Sequence, residues 1–209
     1  MSFEFNGKVA IVTGAGGGLG FAYAQYLAER GANVIVNDLG GGTFGYDGKP
    51  SSKVASAAAD KINALGKGKA IADGHDVSKF ENAQRMVDTA LENWGRIDIV
   101  INNAGIASTG VFPDIDREEI DLHLGVHVMG AVNTMRAAWP HMKKQNYGRI
   151  INTSSDSVLG FSPQTTYPSM KAALIGLSRN AGLLGVDHNI NVNVIMPAAF
   201  PRLSALLPQ

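Results

Sequence analysis

The sequence predicts an α/β protein with one domain over residues 1–209, a doubly wound parallel sheet held between two layers of helices (three layers, α/β/α). Three observations point there. Short β-branched runs alternate with longer stretches of helical period. A glycine-rich turn follows the first of those runs. The chain has 209 residues and is 45% hydrophobic, enough for one substantial core but not for two ordinary ones. Strands are expected at 8–13, 33–38, 69–73, 97–102, 149–153 and 191–195.

Between the third and fourth strands, Ser78 and Glu81 have capping-box spacing. An apolar stripe of Ala83, Val87, Ala90, Leu91 and Trp94 follows, which predicts a helix lying on the sheet. Asp116 and Glu119 repeat the capping signal ahead of a long helical stretch at 120–144, interrupted by Gly125, Gly130 and Pro140. Pro140 is expected to end or kink it. Residues 40–48 are rich in glycine and read as a loop.

Eighteen basic residues balance eighteen acidic ones, so no long-range field recruits nucleic acid or an anionic membrane surface. No stretch approaches the ~20 apolar residues that span a bilayer. Without cysteine there is no disulfide framework, thiolate nucleophile or Cys-ligated zinc, which fits a reducing compartment; the cytoplasm is the expected one. The expected partner is a small molecule, neither nucleic acid nor membrane.

The turn Thr13-Gly14-Ala15-Gly16-Gly17-Gly18-Leu19-Gly20 follows the first strand and opens a helical stretch of Phe21, Ala22, Ala24, Tyr26, Leu27 and Ala28. Glycines keep such a turn tight and let the backbone approach a diphosphate, while free N–H groups and the helix dipole favour its charge. Asp38 ends the second strand, where a carboxylate binds an adenosine ribose diol. Strand, turn, helix and carboxylate together indicate a Rossmann-like dinucleotide site.

Tyr167-Pro168-Ser169-Met170-Lys171 puts a phenol and an ammonium one helical turn apart on one face. Pro168 suits a first turn. For a phenol of pKa ~10 to act as a base near neutrality, its phenolate needs ~4 kcal/mol of extra stabilisation. Lys171 and an oxidised nicotinamide could each contribute ~3 kcal/mol at ~5 Å before desolvation. Upstream, Arg149-Ile150-Ile151-Asn152-Thr153-Ser154-Ser155 is a strand with hydroxyls at its carboxyl end, where open α/β sheets place ligand groups.

From Lys8 to its last residues the chain resembles the short-chain dehydrogenase/reductase family. The resemblance rests on the glycine motif, Asp76-Val77, Asn102-Asn103-Ala104-Gly105, the serines and the Tyr-x-x-x-Lys pair. Residues 36–41 and 136–144 further resemble the (3R)-hydroxyacyl-CoA dehydrogenase subgroup of the peroxisomal multifunctional enzymes.

The resemblance implies an NAD-dependent oxidoreductase acting on a secondary alcohol or ketone, with acyl-CoA thioesters and bulky hydrophobic alcohols as substrate classes. It makes Tyr167 the acid/base. Lys171 holds the nicotinamide ribose and lowers the tyrosine's pKa, and Ser155 orients the substrate oxygen, with Ser154 as the other candidate. NAD is expected to contact Gly14, Gly18, Leu19, Gly20, Asp38, Asp76, Val77, Asn103, Ala104, Gly105, Tyr167, Lys171 and Pro197.

His127 stands where most relatives carry an asparagine that supports a proton-relay water, and the multifunctional-enzyme subgroup shares this departure. Pro197-Ala198-Ala199 replaces the usual Pro-Gly, and Arg202 falls where a threonine often meets the carboxamide. A homodimer or homotetramer is implied, built on the long helix ending near Trp139 and on the helix containing Ala172, Leu174, Ile175, Leu177 and Leu183.

His123 and His127 have the i, i+4 spacing of a metal pair, but no third ligand is evident and no metal is expected. His75, His141 and His188 are scattered and suit surface or capping roles. Met129, Met135 and Met142 suit core or subunit packing. A non-catalytic nucleotide-binding sensor or scaffold stays open, on the strength of His127 and the Pro-Ala-Ala segment. An acyl-transfer role for Ser154 or Ser155 lacks a Gly-x-Ser-x-Gly elbow. The family's lid helix and further strand would come after 197–209. Pro197, Pro201 and Pro208 break that tail, and Leu203, Leu206 and Leu207 lack a later element to pack on, so a longer natural chain with a mobile lid starting here is expected.

A 2′-phosphate near Asp38 would meet like charge at a cost of ~3 kcal/mol per charge pair at ~5 Å, and neither Leu39 nor Gly17 supplies a cation. NAD(H) is therefore expected to bind on the order of a hundredfold more tightly than NADP(H), and Asp38→Ala to narrow the gap. Equal dissociation constants in a fluorescence titration would overturn this.

Overall fold

The computed structural model describes residues 3–45, 50–107, 110–160 and 164–197. Its strands are β1 (Val9–Thr13), β2 (Asn33–Asn37), β3 (Ala70–Asp73), β4 (Ile99–Asn102), β5 (Gly148–Thr153) and β6 (Ile190–Ile195). All pair in parallel, in the order β3-β2-β1-β4-β5-β6. Each strand lies within two residues of its expected place; the central strands β1 and β4 are valine- and isoleucine-rich and buried throughout, as strands covered on both sides are, whereas the edge strand β6 alternates Asn191 and Asn193 with apolar residues.

The helices are α1 (Gly18–Ala28), α2 (Lys53–Asn63), α3 (Phe80–Trp94), α4 (Arg117–His123), α5 (Gly130–Lys144) and α6 (Thr166–Gly185). Side chains alternate across a strand, so the sheet feeds two cores. On one face α1 and α2 bury Ala24, Leu27, Ala58 and Ile62 against Ala10, Val12, Val34 and Val36. On the other, α3 and α5 bury Met86, Val87, Ala90, Met135, Ala138 and Met142 against Val9, Ile11, Ile35, Val100 and Ile150. Each fully buried aliphatic side chain is worth roughly 1.5–3 kcal/mol. No helix among the described residues is long and apolar enough to cross a membrane.

Four details depart from the sequence reading. The capping box of Ser78 and Glu81 does not form: Lys79 is the N-cap residue and makes no side-chain capping bond. Asp76 organises that entry instead, its Oδ1 accepting from the Ser78 amide at 2.9 Å in an Asx turn. Pro140 does not end the long helix, since α5 runs through it to Lys144; buried Ala137, Ala138 and Met142 hold the last turn on the sheet despite the missing N–H. A π-helical turn, Leu124–Met129, joins α4 to α5. Helix α2 was not anticipated, because its buried face of Ala55, Ala58, Ala59 and Ile62 is mostly alanine. Asp116 does cap α4, accepting from the Glu119 amide at 2.7 Å. Met135 and Met142 are buried and Met129 is exposed. The expected tail from Ala198 to Gln209 lies outside the described residues.

Ahead of β4, Asp98 is fully buried. It accepts from Arg96 Nε and Nη2, both at 2.7 Å, from the Val9 amide at 3.0 Å and from Lys8 Nζ at 3.4 Å. This fastens the amino end of β1 to the approach to β4. Asp98→Ala leaves a buried amide unpaired, and is expected to cost about 2–3 kcal/mol in urea unfolding. A loss below ~0.5 kcal/mol would refute the assignment.

Candidate active site

The strand order reverses between β1 and β4, which opens a crevice at the carboxyl ends of the strands. A cavity of about 690 Å³ occupies it. Gly14, Gly17, Gly18 and Leu19 form one wall, with Asp38 beyond them; Asp76 and Val77 follow β3, and Asn103, Ala104 and Gly105 follow β4.

Gly14 and Gly18 have φ of +64° and +54°, a region that glycine enters without penalty. Nothing stands within 4 Å of the place a Gly17 side chain would occupy. The N-cap of α1 makes no side-chain capping bond, and its first turn holds no acid. That open floor and uncapped positive dipole fit a diphosphate. Gly20 serves packing instead, because a Cβ there would collide with the Gly14 carbonyl and the Asn103 amide.

Asp38 is held at the cavity edge, accepting from the Gly16 amide at 2.9 Å and the Gly40 amide at 2.8 Å. Asn103 bridges the crevice, its Nδ2 donating to the carbonyls of Thr13 (3.0 Å) and Gly14 (3.2 Å). Thr13 Oγ1 accepts in return from the amides of Asn103 and Ala104.

The sequence reading missed several lining groups. Lys79 is a cation on the same cavity as Asp38. Gly41, Gly42, Thr43 and Gly45 bring the glycine-rich loop over it, fixed by the Ala107 amide donating to Thr43 O at 2.8 Å. Only the folded-over loop reveals these neighbours. A second cavity of about 590 Å³, at the amino end of β3 beside Asn63, Lys69 and Trp94, gathers no comparable chemistry.

Tyr167, Lys171 and Pro197 do not line the 690 Å³ cavity. The first two stand beside it, on the flank of Gly105, where Lys171 Nζ lies 3.7 Å from the place a side chain would take. Pro197 follows β6 at the end of the described chain, and Ala198, Ala199 and Arg202 lie outside it.

Lys171 is buried, donates to Thr153 O at 2.7 Å and sits 5.5 Å from the centre of the Tyr167 ring. Alternation at the end of β5 separates the two serines. Ser154 is buried and donates to the Lys171 carbonyl at 2.8 Å, which ties it to α6. Ser155 is hydrogen-bonded to Tyr167 and accepts from the Ser157 amide at 3.2 Å.

Burial raises the Tyr167 pKa, the Ser155 hydrogen bond opposes this, and Asp156 adds to the rise. The expected depression of the phenol is therefore absent from the protein alone. Burial also pushes Lys171 down to about 8, so less cationic charge faces the phenol than the sequence reading assumed. His127 is buried beside them, its ring meeting Tyr167 edge-on with centroids 5.3 Å apart. Burial holds it well below the usual histidine value, Lys171 and His123 push the same way, and a hydrogen bond to the Ile106 backbone opposes them. No group of three metal-ligating side chains occurs among the described residues. A phenol, a buried amine and a hydroxyl beside a diphosphate cradle can pass a proton to or from a small substrate oxygen.

Residues 8–201 match the family model described as short chain dehydrogenase. The chain is 47% identical over 211 residues to the peroxisomal multifunctional enzyme type 2 of Mus musculus, covering 99% of this chain and 28% of that protein. Thus it spans little more than a quarter of that relative's length. A crystal structure of a short chain dehydrogenase from Mycobacterium avium superposes with TM-score 0.84 at 38% identity, over 93% of this chain and 71% of the other. That of an NAD⁺-bound xylitol dehydrogenase gives 0.79 at 32%, with the same coverage.

Lys171 yields a stability prediction. Its folded pKa of about 8 lies below the ordinary 10.5, so the unfolded chain binds this proton more tightly. The resulting cost to the fold, on the order of 3 kcal/mol, is fully present below about pH 8 and fades as pH rises towards 10.5. The stability difference between wild type and Lys171→Met should therefore shift in favour of wild type between pH 7.5 and 9.5 in denaturant unfolding. A pH-independent difference would show that the ammonium is not destabilised.

Proposed function

We propose, from the premise that this chain belongs to the short-chain dehydrogenase family, that it interconverts a secondary alcohol and a ketone with NAD(H). The observation carrying this reading is the joining of Ser155, Tyr167 and Lys171 beside Gly105, at the open end of the dinucleotide cradle. When bound, NAD supplies the carbon that accepts or returns the hydride. Ser155 holds the substrate oxygen by its hydroxyl. Tyr167 takes the hydroxyl proton during oxidation and returns it during reduction, while Lys171 holds the nicotinamide ribose and, when protonated, favours the phenolate. Gly14, Gly18 and Leu19 cradle the diphosphate, Asp38 binds the adenosine ribose, and Asp76, Val77, Asn103, Ala104 and Gly105 line the rest; Pro197 is proposed at the nicotinamide end. His127 replaces the relay asparagine. The sensor or scaffold reading is not favoured, because a non-catalytic binder has no use for a phenol joined to a serine and set one turn before a buried lysine.

The proposed substrate is a 3-hydroxyacyl thioester or a bulky hydrophobic alcohol. Two observations support an apolar group: exposed Leu159 ends the turn that follows Ser155, and exposed Phe112 is held to the segment before Tyr167, its amide donating to Thr165 Oγ1 at 3.0 Å. The mouse relative's name adds the multifunctional context. A homodimer or homotetramer is supported by the exposure of Leu183, Leu184 and Val186 at the end of α6. The lack of cysteine supports a reducing compartment, the cytoplasm by default, although the mouse relative is named peroxisomal.

Tyr167→Phe removes only the ionisable oxygen. It is expected to cut NADH production from 3-hydroxyacyl thioesters and secondary alcohols by about 10³-fold or more, with NADH affinity within about twofold of wild type. Substantial residual turnover would remove Tyr167 from the acid/base role.

A further inference from the structure

The reacting end of the site carries a negative charge that the dehydrogenase reading leaves unused. Asp156 follows Ser155 directly and opens the 3₁₀ turn Asp156–Leu159. It is exposed, yet its carboxylate turns back on the site: Ser155 Oγ donates to Asp156 Oδ1 at 3.3 Å. The same serine is hydrogen-bonded to Tyr167, and the phenol feels the charge of Asp156. Among the described residues Asp156 makes no ion pair, so its charge stays uncompensated by the protein around it.

The turn itself does not need an acid at this position. Ser155 enters it and caps it, its Oγ accepting from the Ser157 amide at 3.2 Å. So short a helical turn builds little dipole for a carboxylate to offset. The charge of Asp156 therefore acts mainly on whatever binds beside Ser155.

In the dehydrogenase reading Ser155 holds the substrate oxygen, at an ordinary hydrogen-bond length of ~2.8 Å. Together with the 3.3 Å from Ser155 Oγ to Asp156 Oδ1, this brings the carboxylate to within about 6 Å of that oxygen. A substrate carboxylate one or two bonds from the reacting carbon would enter the same neighbourhood. Like charges this close repel, well inside the ~10 Å screening length of a 0.1 M salt solution. An uncharged ester in the same place meets no such repulsion. Exposed Leu159 at the far end of the turn offers apolar surface and no counter-charge.

We propose that Asp156 is a charge filter on the substrate, rejecting secondary alcohols and ketones that carry an anionic group beside the reacting carbon and admitting their uncharged counterparts. This deepens the dehydrogenase reading and rests on it. Asp156 is a specificity residue: it takes no proton in the reaction and holds no substrate atom. Its selectivity comes from an unfavourable contact with the wrong substrate, which lowers kcat/KM for that substrate alone.

The test uses matched pairs that differ in one charge, 3-hydroxybutanoate and 3-hydroxyoctanoate each against its methyl ester. NADH formation gives kcat/KM for wild type, Asp156→Asn and Asp156→Lys, with NADH affinity as the check on folding. Wild type should favour each ester over its acid by about tenfold or more. The preference should fall to about threefold or less in Asp156→Asn and turn towards the acid in Asp156→Lys. In wild type it should also shrink between 0.02 and 1 M salt, because an exposed charge is screened; this readout needs no variant. Equal use of acid and ester by wild type would overturn the filter. So would a preference that persists in both variants and at high salt, which would trace it to the apolar pocket. Ester turnover that survives Tyr167→Phe sinks the dehydrogenase reading itself, and no NADH from any pair overturns both; turnover that Tyr167→Phe abolishes, with no Asp156-dependent preference, sinks only the filter.

Discussion

The site depends on the cross-link that Asn103 makes between the ends of β4 and β1. Chain connections leave these neighbouring strands in opposite directions, so no helix fills the crevice between them and their ends could drift apart. The Asn103 amide grips the Thr13 and Gly14 carbonyls, and the Thr13 hydroxyl accepts from two amides beyond β4. Four hydrogen bonds of about 3 Å, each worth roughly 1 kcal/mol net, fix the glycine turn against Ala104 and Gly105. Gly14 has no room for a side chain there, since a Cβ would stand 2.9 Å from Ala104 Cα.

A second, deeper polar chain carries that order to the reacting end. Asn102 donates to Asn152 at 2.8 Å, Asn152 to the Ser178 hydroxyl at 2.9 Å, and the Thr134 hydroxyl to Asn102 at 2.6 Å. These bonds tie β4, β5, α5 and α6 together inside the protein, where leaving any member unpaired is costly. Thr153 O and Ser154 Oγ then fasten both ends of Lys171, so the helix bearing Tyr167 is registered against β5 to within a hydrogen bond. Proximity of this kind lowers the entropic cost of arranging a reaction.

The same burial that gives precision strains the ionisable groups. Lys171 pays in stability for a dry site, Tyr167 holds its proton more firmly than a free phenol, and His127 resists charging. A bound dinucleotide cation would act on all three, favouring the phenolate and disfavouring extra positive charge nearby. Protonation at this site is therefore a property of the loaded protein.

Periodicity and spacing were enough for the parallel sheet, the glycine turn, Asp38 and the Tyr167–Lys171 pair, because each is encoded by residues close in sequence whose local conformation is set by sterics and alternation. Counting along the chain offered both Ser154 and Ser155; only the fold gives them different partners, Ser154 being tied to α6 through the Lys171 carbonyl and Ser155 accepting from the Ser157 amide. Pro140 and the Ser78 capping box failed as local signals, since packing of Met142 and an Asx turn at Asp76 outweighed them. The approach of Lys79 and the roof made by Thr43 arise from segments that meet only after folding. Local rules therefore determined the elements and the motif-bearing residues, whereas long-range packing decided which polar groups face one another and what charge each can bear.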